Sequence, residues 1–345
     1  MNTEYYKITA DESANAKIFA HGGEIIRAGG LVAFPTETVY GLGGNALNAD
    51  AAAKIYAAKG RPSDNPLIIH ISRVEDADRY CVVNDVYLRL ANAFMPGPLT
   101  VVMPKRDCIP LTVTGGLDTV AVRIPSDFNA RRLIEAAGVP IAAPSANRSG
   151  KPSPTAAEHV REDLDGRIDM VIDGGRSDIG VESTIVKIDG ERLILLRPGG
   201  ITLEMLEEVC PNVTIDKAVL HQLKSGERPQ APGMMYRHYA PDTKVVLLDG
   251  SDEAFYAYIA KQALSDNVGA LIFDDDREHL PSNVVTLSLG KRNAADEARA
   301  LFDRLRQIDL SRCNVFYARL PDKTGLGLAV YNRILKASGY NIVKL

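Results

Sequence analysis

No stretch of this 345-residue chain stays apolar for long. Runs such as Leu31-Val32-Ala33-Phe34 and Leu67-Ile68-Ile69 fall far short of the ~20 residues that a bilayer-spanning helix needs, which excludes a helical membrane protein. The first residues, Met1-Asn2-Thr3-Glu4-Tyr5-Tyr6-Lys7, carry neither the basic start nor the apolar stretch of a secretory signal, so a cytoplasmic protein is expected. Cysteine is scarce. Cys81, Cys108, Cys210 and Cys313 are scattered with no C-x-x-C pair, which suggests neither a zinc site nor a disulfide framework. Long runs of one charge, low-complexity tracts and repeats are also lacking, which argues against disorder. The formal net charge of −4 argues against a protein that coats nucleic acid through a broadly basic surface, so any anion site must be local. What is present, 46% hydrophobic and 24% charged residues, is ample for a core, and the length suggests two domains.

Along the first two-thirds, short β-like runs alternate with helical patterns. Residues 30–34 read as a strand, and 50–59 as a helix stopped by Gly60 and Pro62. Strands follow at 67–71, 99–103, 120–124 and 140–143, with helices in the stretch to Met95, over 129–137 and over 155–164. Further strands are expected around Val171, Ile185 and Leu195. Strands separated by helices, mixed with consecutive strands, predict an α/β domain on a mixed sheet. The pattern breaks down over 217–241, where Gly, Pro and polar residues give way to Met234-Met235-Tyr236-Arg237-His238-Tyr239. A second, smaller α/β unit starts at Lys244-Val245-Val246-Leu247-Leu248 and is expected to hold parallel strands. The division expected is thus 1–216, a linker 217–241, and 242–345.

Several standard motifs fail. Gly41-Leu42-Gly43-Gly44-Asn45-Ala46 fits G-x-G-x-x-A, but Pro35 to Tyr40 separates it from its strand and no acidic residue follows the next strand. Walker A is absent, since Gly150-Lys151 is followed by Pro152, and there is no G-x-S-x-G elbow. His238 has no metal-ligand spacing to another histidine. More telling are basic residues beside strand ends and turns: Lys59 and Arg61 in Lys59-Gly60-Arg61-Pro62, Arg123 in an apolar strand, and Arg197 before Pro198-Gly199. Arginine offers a rigid fork of donors for phosphate or carboxylate and lysine a mobile point charge. Lys59 also suits a helix C-terminus as a plain dipole partner. Arg123 requires a carboxylate or a ligand, because burying it unpaired is prohibitive. The segment 143–155, rich in Ser, Asn, Gly and Pro, reads equally as a phosphate-wrapping loop or as ordinary turns. His70, in an apolar strand, reads first as a core histidine.

Taken in order, Phe34-Pro35-Thr36-Glu37-Thr38-Val39-Tyr40-Gly41-Leu42-Gly43, Lys59-Gly60-Arg61-Pro62 with Asn65-Pro66-Leu67, Pro96-Gly97-Pro98-Leu99-Thr100, Val122-Arg123-Ile124-Pro125, Pro144-Ser145-Ala146-Asn147-Arg148-Ser149-Gly150, Glu182-Ser183-Thr184-Ile185 and Leu196-Arg197-Pro198-Gly199 resemble the YrdC-like family. With the linker and the second unit, the chain resembles that family's longer, two-domain form, the threonylcarbamoyl-AMP synthases. The resemblance implies a mixed-sheet α/β domain with a concave basic cleft, followed by a smaller Rossmann-like α/β domain. It implies synthesis of threonylcarbamoyl-adenylate from L-threonine, bicarbonate or CO2, and ATP, with pyrophosphate released and Mg²⁺ carried on ATP. A partner transferase would pass the group to adenosine 37 of tRNAs reading codons that begin with A. No stable nucleic-acid binding and no protein-built metal cage is expected. By the same resemblance, L-threonine is held by Thr38, His70, Arg123, Ala143 and Ser183. ATP is held by Arg61, Asn65, Thr119, Ser145, Ser153, Arg197 and Tyr236, with Lys59 and Arg61 as catalytic cations at the phosphates. The linker is expected to act as a lid over the nucleotide, a docking role for the second domain being the alternative. Two other classes stay open: an RNA-binding module, and a carbamoyl-transfer domain like those of hydrogenase maturation, whose cysteine-rich segments this chain lacks.

Overall fold

The computed structural model describes residues 2–221 and 239–345. These form two compact units, one comprising 2–149, 153–178 and 182–221, the other 150–152, 179–181 and 239–345.

The strands of the first unit are β1 (Glu4–Lys7), β2 (Val32–Phe34), β3 (Gly41–Asn45), β4 (Ile68–His70), β5 (Leu99–Pro104), β6 (Thr119–Arg123), β7 (Ile141–Ala142), β8 (Met170–Asp173), β9 (Thr184–Asp189), β10 (Arg192–Arg197) and β11 (Val213–Ile215). Between them run α1 (Glu12–Arg27), α2 (Ala49–Lys59), α3 (Asp85–Phe94), α4 (Leu111–Thr114), α5 (Phe128–Ala137), α6 (Ala157–Leu164) and α7 (Leu203–Val209). The strands join in one mixed sheet in the order β1-β8-β2-β3-β7-β4-β6-β5-β9-β10-β11. Parallel pairs such as β4 with β6 alternate with antiparallel ones such as β5 with β6, the mixed architecture expected from the sequence.

Local chemistry sets the helix ends. Asp11 accepts from the backbone N–H groups of Ser13 and Ala14 and caps α1, while Asn48 caps α2 through Asp50 and Ala51. Gly60, at φ 61°, closes α2 in the left-handed conformation that the Gly60-Arg61-Pro62 stop predicts. Helices α1 and α5 cover one part of the sheet, burying Phe19, Ile26, Val32, Phe34, Leu133, Ile134, Ile141, Met170 and Ile172 in a shared core. A second cluster, Ile68, Val102, Ala121, Ile185 and Leu196, lies further along.

The second unit carries β12 (Lys244–Asp249), β13 (Val268–Ile272), β14 (Val285–Ser288), β15 (Val315–Arg319) and β16 (Ile342–Lys344), with α8 (Asp252–Gln262), α9 (Ala294–Ile308) and α10 (Gly327–Ala337). All its strand pairs are parallel, in the order β14-β13-β15-β12-β16. That agrees with the Rossmann-like expectation, and parallel neighbours require the long crossovers that α8, α9 and α10 supply. Asp276, fully buried, ties three segments together: it accepts from Arg319 at 2.6 Å, Arg292 at 2.6 Å and Tyr256 Oη at 2.7 Å.

Gly23 of α1 packs so closely on α5 that an added Cβ would stand 2.6 Å from the Ala136 carbonyl oxygen. Gly23→Ala should therefore destabilise the first unit by about 1 to 3 kcal/mol, the usual range for overpacking. Urea unfolding followed by circular dichroism checks this, and an unchanged midpoint would refute the tight contact.

Candidate active site

Strand register assembles the polar residues of the first unit. His70, ending β4, stands opposite Arg123, ending β6; Arg123 stands opposite Thr100 of β5. Thr100 in turn faces Ile185 of β9, and Ile185 faces Arg197, ending β10. Residues paired in register share a face of the sheet, so His70, Arg123, Thr100 and Arg197 line one row. The adjoining row, Ile69, Val122, Val101, Val186 and Leu195, is apolar and faces the other way. An irregularity between Leu195 and Arg197 matters here. In a regular strand Arg197 would point with Leu195, and the extra residue turns it to the polar face.

Ser183, just before β9, extends the row. Its Oγ lies 2.8 Å from Thr100 Oγ1, and Arg197 donates to Ser183 Oγ at 3.2 Å and to the Ser183 carbonyl at 3.1 Å.

The segment after β2 supplies the partner that Arg123 requires. Thr36 Oγ1 donates to the Val39 carbonyl at 2.6 Å, accepts from Thr38 N and Val39 N at 3.2 Å, and lies 2.8 Å from Thr38 Oγ1, which fixes a tight turn. That turn brings Glu37 Oε1 to 2.8 Å from Arg123 Nη2, with Ser126 N–H donating to the same oxygen at 3.2 Å. Burial pushes the Glu37 carboxyl up, but Arg123 and the Ser126 N–H outweigh it and hold it below the usual carboxylate range. Sequence reasoning quoted Glu37 within a motif and gave it no role. Its signal was an acid among hydroxyl and apolar residues.

His70 is driven the other way. Burial, reinforced by the Arg123 cation, lowers its imidazole to about 3, so it is neutral at physiological pH. Among the described residues, His70 Nδ1, Glu37 Oε2 and Arg123 Nε are buried without a hydrogen-bond partner, and Arg123 Nη2 meets Glu37 as an ion pair without hydrogen-bond geometry. Each such orphan is unfavourable by about 1 to 3 kcal/mol. An anion, a cation and an imidazole left open together are chemically suited to a small zwitterion.

The remaining predicted residues form smaller groups. The Lys59 ammonium, at the end of α2 and buried, donates to the carbonyls of Ser145 and Asn147 at 2.5 Å each, while Ser149 N–H donates to the Lys59 carbonyl at 2.8 Å. It thus clamps the loop after β7. Ser145 Oγ donates to Asn147 Oδ1 at 2.5 Å, and a bridge pairs Ser145 with Gly41. Arg61 donates to the carbonyls of Asn65 at 3.2 Å and Pro66 at 3.0 Å, and Asn65 Oδ1 is another buried orphan. Ser153 Oγ donates to Glu182 Oε1 at 2.5 Å, beside Ser183. Ala143 follows β7 and donates its N–H to Ile68. Thr119 opens β6, at the other end of the strand from Arg123. Residues 222–238, which include Tyr236 and most of the expected lid, lie outside the described residues.

A family model described as "Telomere recombination", covering the Sua5, YciO and YrdC proteins, matches residues 24–199, and one for the C-terminal domain of threonylcarbamoyl-AMP synthase matches 201–339. The chain is 46% identical over 329 residues to the threonylcarbamoyl-AMP synthase of Pyrococcus abyssi, covering 93% of this chain and 94% of that one. The chain belongs to the two-domain Sua5 family. Its Bacillus subtilis relative, also a threonylcarbamoyl-AMP synthase, is 42% identical over 343 residues, covering 99% of this chain and 98% of the relative. The crystal structure of P. abyssi Sua5 complexed with L-threonine superposes with a TM-score of 0.91 at 43% identity, over the full length of both chains.

Two predictions follow from this Sua5-family site. Lys59→Met removes the donor shared by the Ser145 and Asn147 carbonyls, so backbone amides over 145–149 should exchange with deuterium clearly faster while the sheet keeps its protection. Unchanged exchange there would show that the clamp is dispensable. His70 titrates near 3 when folded against 6.5 for an ordinary histidine, so between those values the unfolded chain binds more protons and stability falls as pH drops. Asp127, held up at about 6 chiefly by burial, and Glu297, held up at about 7 by burial and then Asp322, act in the opposite sense. His70→Gln should therefore lose less stability than the wild type between about pH 6.5 and pH 4. Parallel stability curves in urea titrations would contradict a buried neutral imidazole.

Proposed function

We propose that the protein condenses L-threonine, bicarbonate or CO2, and ATP into threonylcarbamoyl-adenylate with release of pyrophosphate, the first step of threonylcarbamoyl-adenosine formation at tRNA position 37. The observation that carries the reading is the coincidence of near full-length likeness to threonylcarbamoyl-AMP synthases with open polar atoms on one sheet row. In this reading the amino acid sits at Thr38, His70, Arg123, Ala143 and Ser183. ATP lies toward Lys59, Arg61, Asn65, Thr119, Ser145, Ser153 and Arg197, with Tyr236 reaching it from the linker.

The chemistry then needs no side-chain nucleophile. The threonine ammonium gives up a proton to water, the free amine adds to CO2, and loss of a second proton from nitrogen to water leaves a carbamate. A carbamate oxygen attacks the α-phosphorus of ATP, the bond to the bridging oxygen of the β-phosphate breaks, and pyrophosphate leaves. The protein contributes position and fixed positive charge: Arg197 is anchored on Ser183, Arg61 on its own turn, and Lys59 holds the loop that presents Ser145. Among the described residues no group of three or more His, Cys, Asp or Glu stands together as a ligand set. In this reading Mg²⁺ enters on the nucleotide, whose phosphate oxygens and waters suit it. No helix among the described residues is long and apolar enough to cross a membrane, and we place the protein in the cytoplasm, handing its product to a tRNA threonylcarbamoyl transferase.

Pyrophosphate release from ATP should require both L-threonine and bicarbonate. Equal release with threonine omitted would sink the assignment. Serine, which lacks one methyl group, should be a poor but detectable substrate, reduced by roughly 10- to 200-fold in kcat/KM. Valine, which leaves the hydroxyl's partners unpaired, should be weaker still. Arg61→Ala should abolish most turnover with normal circular dichroism.

A further inference from the structure

The residues carried over from the family include no Asp or Glu, and so leave the amino end of the substrate without a partner of opposite charge. We propose that Glu37 is that partner: its open Oε2 receives the α-ammonium of the amino acid, while its Oε1 holds Arg123 in place for the α-carboxylate. The inference rests on the synthase reading above and extends it to a residue that reading leaves without a role.

Three observations carry it. Glu37 is buried, at 7% exposure, and its two oxygens are used differently: Oε1 is engaged by Arg123 and by Ser126 N–H, whereas Oε2 meets no donor among the described residues. A buried carboxylate oxygen kept without a donor has a reason to be open. The second observation is charge balance. Glu37 and Arg123 together are neutral, and an amino-acid zwitterion placed against them adds one charge of each sign. Arg123 Nε, a second open group on the same pair, is the complementary site for the carboxylate. A substrate bearing only a carboxylate would leave Glu37 Oε2 unpaired. The third is the neighbourhood. His70 is neutral and supplies no competing cation, and the groups facing Glu37 from the elements around it are Arg123, His70 and, at longer range, Asp127. Among the described residues, Glu37 Oε2 is the only carboxylate oxygen buried without a hydrogen-bond partner. Thr36 fixes the turn on which Glu37 sits, so the carboxylate is presented rather than mobile.

The ligand that isolates this contact is (R)-3-hydroxybutyrate, which is L-threonine without its amino group. Binding of both compounds to the full chain is measured by calorimetry with the wild type and with Glu37→Gln, alongside thermal midpoints and the KM values for threonine and ATP. The wild type should prefer threonine to (R)-3-hydroxybutyrate by about 10- to 100-fold, the range of a charge-assisted hydrogen bond. Glu37→Gln should erase most of that preference by weakening threonine, raising its KM with little change in the KM for ATP. A role confined to bracing Arg123 would weaken the two compounds equally and keep the preference, which overturns the proposal. Wild-type protein that binds both alike overturns it as well, even should the variant fail to fold. If the wild type binds no threonine and releases no pyrophosphate, the synthase reading itself falls. A threonine-dependent enzyme whose Glu37→Gln variant still discriminates leaves that reading intact and refutes the inference alone.

Discussion

The register of β4, β6, β5, β9 and β10 is the constraint on which the site depends. Because side chains alternate along a strand, a slip of one residue between any two of these strands would send Arg123 or Arg197 into the apolar layer and Val122 or Leu195 into the polar row. Both outcomes bury a charge without a partner or expose an aliphatic surface, so the hydrophobic pattern holds the register and the register holds the chemistry. The irregularity before Arg197 is the exception that the same logic requires. It re-aims a single guanidinium onto the row and leaves Leu195 in the core.

Within that frame the positive charges are fixed by backbone oxygens. Lys59 is tied to carbonyls of the loop after β7, Arg61 to carbonyls of its own turn, and Arg197 to Ser183. A cation held in this way keeps its charge and loses its freedom, as the proposed role at the phosphates would require. Arg123 differs in being held by a carboxylate. The pair is locally neutral, and it suits a ligand that is itself both anion and cation.

The elements were legible in the sequence where local pattern is strong. The helix before Gly60 and the strands around Val32, Val101 and Val122 occupy the positions that periodicity and turn residues indicate. Arg123 in an apolar strand also carried its own message, that a carboxylate or ligand must face it. Which carboxylate was not readable, because Glu37 reaches it through a turn set by Thr36 and through pairing between strands distant in sequence. The glycines of β3 entered the sequence reading as a failed dinucleotide motif and as part of the family resemblance, neither of which gave them a packing role. In the fold, a Cβ at Gly43 would stand 2.7 Å from Ile141 Cγ2, so that glycine serves close strand packing, a requirement invisible until the neighbour is known. Lys59 combines its two readings, since it ends a helix and its ammonium organises the loop expected to face the nucleotide.

In the proposed reading the site works by position rather than by a nucleophile; such a site keeps some polar groups unsatisfied until the substrate arrives, and each of these opposes folding. Part of what offsets this burden lies on the opposite face of the same strands. Ile69, Val122, Val101, Val186 and Leu195 on the opposite row are fully buried or nearly so, and contribute about 1.5 to 3 kcal/mol each relative to exposure. The apolar row thus backs the polar row across the same strands, while Ile68, Ala121, Val102 and Ile185 add buried apolar surface on the polar row's own face. Replacing Glu37 or Arg123 alone by an apolar residue would leave the other charge buried without its partner and weaken the fold, so these two orphans cannot be relieved by a single apolar substitution.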